Sequence, residues 1–192
     1  MNRKTRVLIM AIKTFTTGEV LTASDTNTYL ANSGLVFVKS QAIVAGSATT
    51  VVTNAFSATY DNYRILVTGL QMSASQGLAI KMGSTATGYY GNMVYVLFSG
   101  TAWTFVPQNN AAFWFGGLTD GGAPSTSSTF DLIAPFLSAK TQMNGGYYGR
   151  GYSGTYAGSL ENTTSYTDIS FFNDSSGTLT SGTITVYGYR KQ

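Results

Sequence analysis

The chain has 192 residues, enough for one sizeable core, and only 10% of them are charged, against roughly 25% in ordinary soluble domains. It contains no cysteine and no histidine, which excludes disulfides, thiol nucleophiles, Ser-His-Asp triads and nearly every transition-metal site. The net charge of +3 comes wholly from Arg3, Lys4 and Arg6, so the body offers no basic cluster for nucleic acid, and no apolar run reaches the roughly 20 residues of a membrane span.

The first ten residues, MNRKTRVLIM, have the charged start of a secretory leader, but the apolar run 7–12 is broken by Lys13 and too short for one. Met10 makes an ordinary start, so residues 1–9 are expected to be a basic leader from an upstream start codon. Residues 10–33 read as an attachment segment. Thr22 can cap a helix with its hydroxyl, and Asp25, three residues on, can return the bond and meets the positive end of the helix dipole. Gly34 supplies the stop. Such a helix holds about ten residues and spans roughly 15 Å, too short to stand alone in water. It must dock, either as a plug on its own domain or as a brace against a neighbouring subunit. The anchor residues assigned to it are Thr22, Asp25, Tyr29 and Leu30.

Residues 34–192 read as one all-β domain. Strands are predicted at 35–38, 42–45, 49–53, 60–70, 78–82, 89–98, 102–106, 111–115, 127–134, 147–155, 166–172 and 182–190, with turns at 45–47 and 144–146. Tyr63, Ile65 and Val67 alternate with Arg64, Leu66 and Thr68, and Ile184 and Val186 with Thr183, Thr185 and Tyr187, so each strand has one core face. No repeat of fixed period, heptad run or Gly-X-Y tract appears. Many short strands separated by turns, with no helical period, describe an all-β sandwich or barrel preceded by one short helix.

Only carboxylates, tyrosines and hydroxyls remain for chemistry. Asp25 belongs to the cap, Asp120 and Asp174 to turns, and Asp61 opens a strand. Asp131 lies inside an apolar strand; it either faces solvent, the expected state, or is buried and needs a partner such as Arg64. No catalytic residue, metal or cofactor is assigned: 173–177 lacks the bidentate Glu of an EF-hand, and the glycine-rich run 145–151 lacks the context of a phosphate loop. Tyr89, Tyr90, Trp103, Trp114, Tyr147, Tyr148 and Tyr152 are set among Gly, Asn and Ser, a mixture that suits recognition of glycans or proteins; core or subunit packing is the alternative for each.

The segment FTTGEVLTASDTNTYLANSGLVFVKSQ resembles an N-terminal signature of bacteriophage tail and fibre-associated proteins: a threonine-glycine turn, a "LTASDxN" helix start, then a strand opening "GLVxV". YDNYRILVTGL and the terminal SGTITVYGYRK resemble strands of the associated sandwich, while the middle matches only in strand rhythm. The resemblance implies a jelly-roll-like antiparallel β-sandwich and a virion structural protein on the particle exterior, made in the host cytoplasm: a short tail fibre, knob or tail-tip component, whose partners are expected to be further copies in a homotrimer, other virion proteins and a host surface glycan or protein. A capsid decoration or head-fibre protein is the alternative it leaves open. It also shifts the helix toward the bracing role.

Overall fold

Alternating patterns of this kind are realised as twelve strands in the computed structural model, which describes residues 16–25, 34–119, 121 and 126–190. They are β1 (Leu35–Ala42), β2 (Thr49–Val52), β3 (Asn62–Met72), β4 (Gly77–Met82), β5 (Tyr89–Leu97), β6 (Trp103–Ala111), β7 (Trp114–Leu118), β8 (Thr126–Ile133), β9 (Thr141–Gly149), β10 (Tyr152–Leu160), β11 (Ile169–Asn173) and β12 (Leu179–Tyr189). One sheet has eight strands in the order β1-β12-β3-β8-β9-β10-β5-β6, and the other has four, β2-β11-β4-β7. Set aside the hairpins β5–β6 and β9–β10, and the other strands, renumbered in chain order, lie as 1-8-3-6 over 2-7-4-5. That is a jelly roll. The two hairpins pair with each other through β10 and β5, and with the jelly roll through β9 and β8, so they extend one sheet only.

The core lies between the sheets. Tyr63, Ile65 and Val67 are fully buried on β3, as are Ile184 and Val186 on β12, facing Ile80 and Met82 of β4 and Ile169 and Phe171 of β11. Arg64, Leu66 and Thr68 point outward, as the alternation predicts.

The N-terminal cap forms as read. The Asp25 N–H donates to Thr22 Oγ1 at 3.1 Å and the Thr22 N–H donates to Asp25 Oδ2 at 3.2 Å, at the start of the helical turn α1 (Ala23–Asp25). The rest of the predicted helix, with Tyr29 and Leu30, and the leader 1–9 lie outside the described residues.

Several strand limits differ from the sequence reading. The strands at 35–38 and 42–45 are one, β1, ending at Ala42. Asn144-Gly145-Gly146 is no turn but the middle of β9; glycine is used there for clearance, since a Cβ on Gly145 would lie 2.5 Å from Thr129 O and from Phe130 Cβ. The predicted strand 147–155 is instead split by the turn at Arg150-Gly151, where Gly151 takes φ 88°. β6 runs on to Ala111 and pushes β7 to Trp114–Leu118. β11 starts at Ile169, because the Tyr166 N–H is used by Pro135 O at 2.8 Å and its ring is buried.

Candidate functional site

Unequal sheets leave the extension partly uncovered. Four strands of the small sheet cannot cover eight, so the inner faces of β5, β6 and β10 project past the edge strand β7. A cleft of about 210 Å³ results. Met93 and Tyr95 of β5, Val106 of β6 and Tyr152 of β10 form one wall, and Phe115 of β7 forms the other; Asp174, just after β11, stands at one end. The Tyr95 and Tyr152 rings meet edge to face at 6.0 Å.

Asp174 is held by backbone on both sides. Its Oδ1 accepts from the Gly77 N–H at 3.0 Å, and its own N–H donates to Gly77 O at 3.0 Å. A Cβ on Gly77 would collide with Oδ2, so glycine there makes room for the carboxylate. Partial burial raises the Asp174 pKa above the ordinary carboxylate value, with the Gly77 hydrogen bond opposing. Among the described residues, the cleft lining contains no lysine or arginine.

The outer face of the extension is different. Cross-strand register places Trp103, Val96, Ser153 and Tyr148 in one row and Phe105, Val94 and Thr155 in the next. Trp103 is 69% exposed, Phe105 62% and Tyr148 60%, and Phe98 packs on Tyr148 at 5.4 Å. No charged side chain occurs between Lys81 and Asp120 in the sequence, and Arg150, at the β9–β10 turn, is the one between Lys140 and Glu161. The exposed rings thus gather on one face of an extension that carries almost no charge.

Asp131 faces outward from β8, directly opposite Arg64 on β3. Arg64 donates through Nε and one Nη to its two oxygens, each at 2.8 Å, and the Tyr189 hydroxyl donates to Oδ1 at 2.7 Å. The Arg64 hydrogen bond holds the Asp131 carboxyl below its ordinary pKa, and burial opposes it. This is an ion pair on the sheet surface, with both partners mutually satisfied.

The seven aromatic candidates therefore divide. Tyr90, Trp103 and Tyr148 are exposed, and Tyr152 lines the cleft. Tyr89 and Trp114 are corrected to core residues: both are fully buried, packed edge to face at 4.9 Å. The Met82 N–H donates to the Tyr89 hydroxyl at 2.8 Å, and Trp114 Nε1–H donates to Tyr90 O at 3.3 Å. Tyr147 is also interior, and its hydroxyl is buried with no hydrogen-bond partner; burial pushes its pKa up, with Tyr95 and Tyr152 adding to the rise. Asp174 and Tyr95 were missed as site residues. Asp174 looked like part of the NDSSG turn, and nothing local in a sequence shows that a turn residue lies beside a distant sheet overhang. Among the described residues no group of three or more acidic side chains is placed to hold a metal ion.

No protein-family model matches the chain, and no curated protein matches its sequence.

Proposed function

We propose that this protein is a structural component of a bacteriophage particle, a short tail fibre, knob or tail-tip subunit with no catalytic role. It associates with further copies of itself and with other virion proteins, and presents a recognition surface to a host glycan or protein. The observation that carries the reading is the apolar outer face of Trp103, Phe105, Phe98 and Tyr148 on an extension almost free of charge. An isolated monomer with such a face would be prone to associate, whereas packing copies against one another buries the rings without opposing like charges. The N-terminal segment supports the same reading: Val20 is 79% and Leu21 49% exposed beside the capped turn, which suits a brace on a neighbour. The N-terminal and C-terminal signatures supply the virion setting.

Electron microscopy of intact particles with labelled protein tests the assignment. Density at the tail supports it, density at capsid lattice positions replaces it with a decoration role, and absence from particles removes both. Light scattering on the purified protein should give a mass near three times the 20.4 kDa chain, and a stable monomer would sink the trimer.

A further inference from the structure

The cleft under the sheet extension has the chemistry of a small-ligand site. Its volume of about 210 Å³ is below the roughly 300–1,000 Å³ of sites for drug-sized molecules, and suits a single ring. Its walls are apolar and aromatic, while its polar groups gather around Asp174. With no lysine or arginine among the described lining residues, an anionic ligand would meet the carboxylate uncompensated. A purely apolar ligand would in turn cover the carboxylate with only the Gly77 N–H as donor, leaving Oδ2 unsatisfied.

An organic cation would also suit a carboxylate beside aromatic rings and enters the test as a comparison; among uncharged ligands, the class that meets both requirements has an apolar face and several hydroxyl donors. We propose that the cleft bounded by Asp174, Tyr95 and Tyr152 binds one neutral pyranose unit of a glycan. Asp174 accepts hydrogen bonds from ring hydroxyls through the carboxylate that Gly77 fixes in place, so its orientation costs nothing further at binding. The Tyr95 and Tyr152 rings offer surface for the apolar C–H face of the sugar. The choice of a glycan as ligand rests on the recognition role proposed above, whereas the site itself rests on the cleft.

The test is titration of the purified full-length protein with D-glucose, D-galactose, D-mannose and N-acetyl-D-glucosamine by saturation-transfer NMR, with N-acetylneuraminic acid as the anionic comparison and tetramethylammonium as the cationic one. Saturable binding of at least one neutral sugar is expected, weakened at least tenfold in Asp174→Asn and also weakened in Tyr95→Leu, which removes the ring. Unchanged near-UV circular dichroism establishes that each variant is folded. No saturable binding of any neutral sugar would overturn the proposal, as would undiminished binding by folded Asp174→Asn or equal or tighter binding of the acidic sugar or of tetramethylammonium. The virion reading fails separately, through absence of the wild-type protein from particles. A protein that is present on particles yet binds no sugar loses the cleft assignment alone.

Discussion

Substituting Gly158 by alanine isolates the feature that lets aromatic rings fill the extension. A Cβ at this position on β10 would lie 2.5 Å from Tyr90 O, 2.6 Å from Trp114 Nε1 and 2.9 Å from Trp114 Cδ1. The first of these is backbone in the neighbouring strand. The other two belong to an indole that is fully buried and braced against Tyr89. Neither neighbour can move away without opening the β10–β5 ladder or breaking the Trp114 hydrogen bond to the same Tyr90 oxygen. Overpacking of this kind costs about 1–3 kcal/mol. Loss of the indole hydrogen bond adds about 1 kcal/mol, and the lower entropy of an unfolded alanine chain returns about 0.4–1 kcal/mol. The net expectation is a loss of about 2–3 kcal/mol, or a Tm lower by roughly 4–12 °C for a chain of this size. Urea unfolding followed by tryptophan fluorescence is the assay, since Trp114 is fully buried and Trp103 is already 69% exposed. Gly146→Ala is the control: its Cβ would meet nothing nearer than 3.4 Å, so its midpoint should stay within about 0.5 kcal/mol of wild type. Equal midpoints for Gly158→Ala and wild type would refute the reasoning.

Four further outcomes are expected. Ser128→Ala should destabilise by about 1–3 kcal/mol, because the Ser128 hydroxyl bridges Gly116 O at 2.7 Å and the buried Tyr156 hydroxyl at 2.5 Å, and its loss leaves both without that partner; a thermal melt within 1 °C of wild type would count against it. Asp131→Asn should lose about 0.5–1 kcal/mol near pH 7, the scale of a partly exposed bidentate pair. The Asp131 pKa is lowered by folding, so the pair's contribution is complete above the ordinary carboxylate range and disappears as pH falls through the lower folded value; denaturation curves of variant and wild type should converge in acid. Asp174 has the opposite sign: its raised pKa means that stability falls as pH rises through its titration, so Asp174→Asn should be neutral or stabilising near pH 7, and a marked loss there would contradict its assignment. Finally, Trp103→Ser combined with Phe105→Ser should leave the urea midpoint nearly unchanged while shifting sedimentation toward monomer, and an unaltered assembly would remove the outer face as the contact.

The strand faces were legible in the sequence because period-two alternation in β3 and β12 reports burial directly. The capping pair Thr22 and Asp25 was legible for a similar reason, since both partners lie within one turn. What could not be read was the meaning of glycine. Asn144-Gly145-Gly146 has the composition of a turn, yet Gly145 sits in mid-strand so that Phe130 and the β8 backbone can approach it. The same holds for the mixture of tyrosine and glycine around residues 147–158, which suggested recognition loops. Gly117, Gly154 and Gly158 instead open space for the Tyr147 and Trp114 rings, which divides those aromatics between core and surface. Asp131 reads as outward from the sequence, with Arg64 as its partner only in the buried alternative; the register sets the two directly opposite each other on the outer face, so the pair forms although the carboxylate faces out. Asp174 could not be recognised at all from local sequence, because its surroundings are strands far away in the chain.

The place of β12 has a consequence for biosynthesis. It is the last of the described strands to leave the ribosome, yet it lies between β1 and β3, both made more than a hundred residues earlier. Until it arrives, the large sheet has a gap, with two unpaired edges that can capture a foreign strand. The β5–β6 and β9–β10 hairpins need only local contacts and can form during synthesis, whereas closure of the gap is a non-local and slower step. Chains truncated before Leu179 should therefore accumulate as aggregates rather than as soluble, partly assembled subunits, which keeps incomplete products out of any larger assembly.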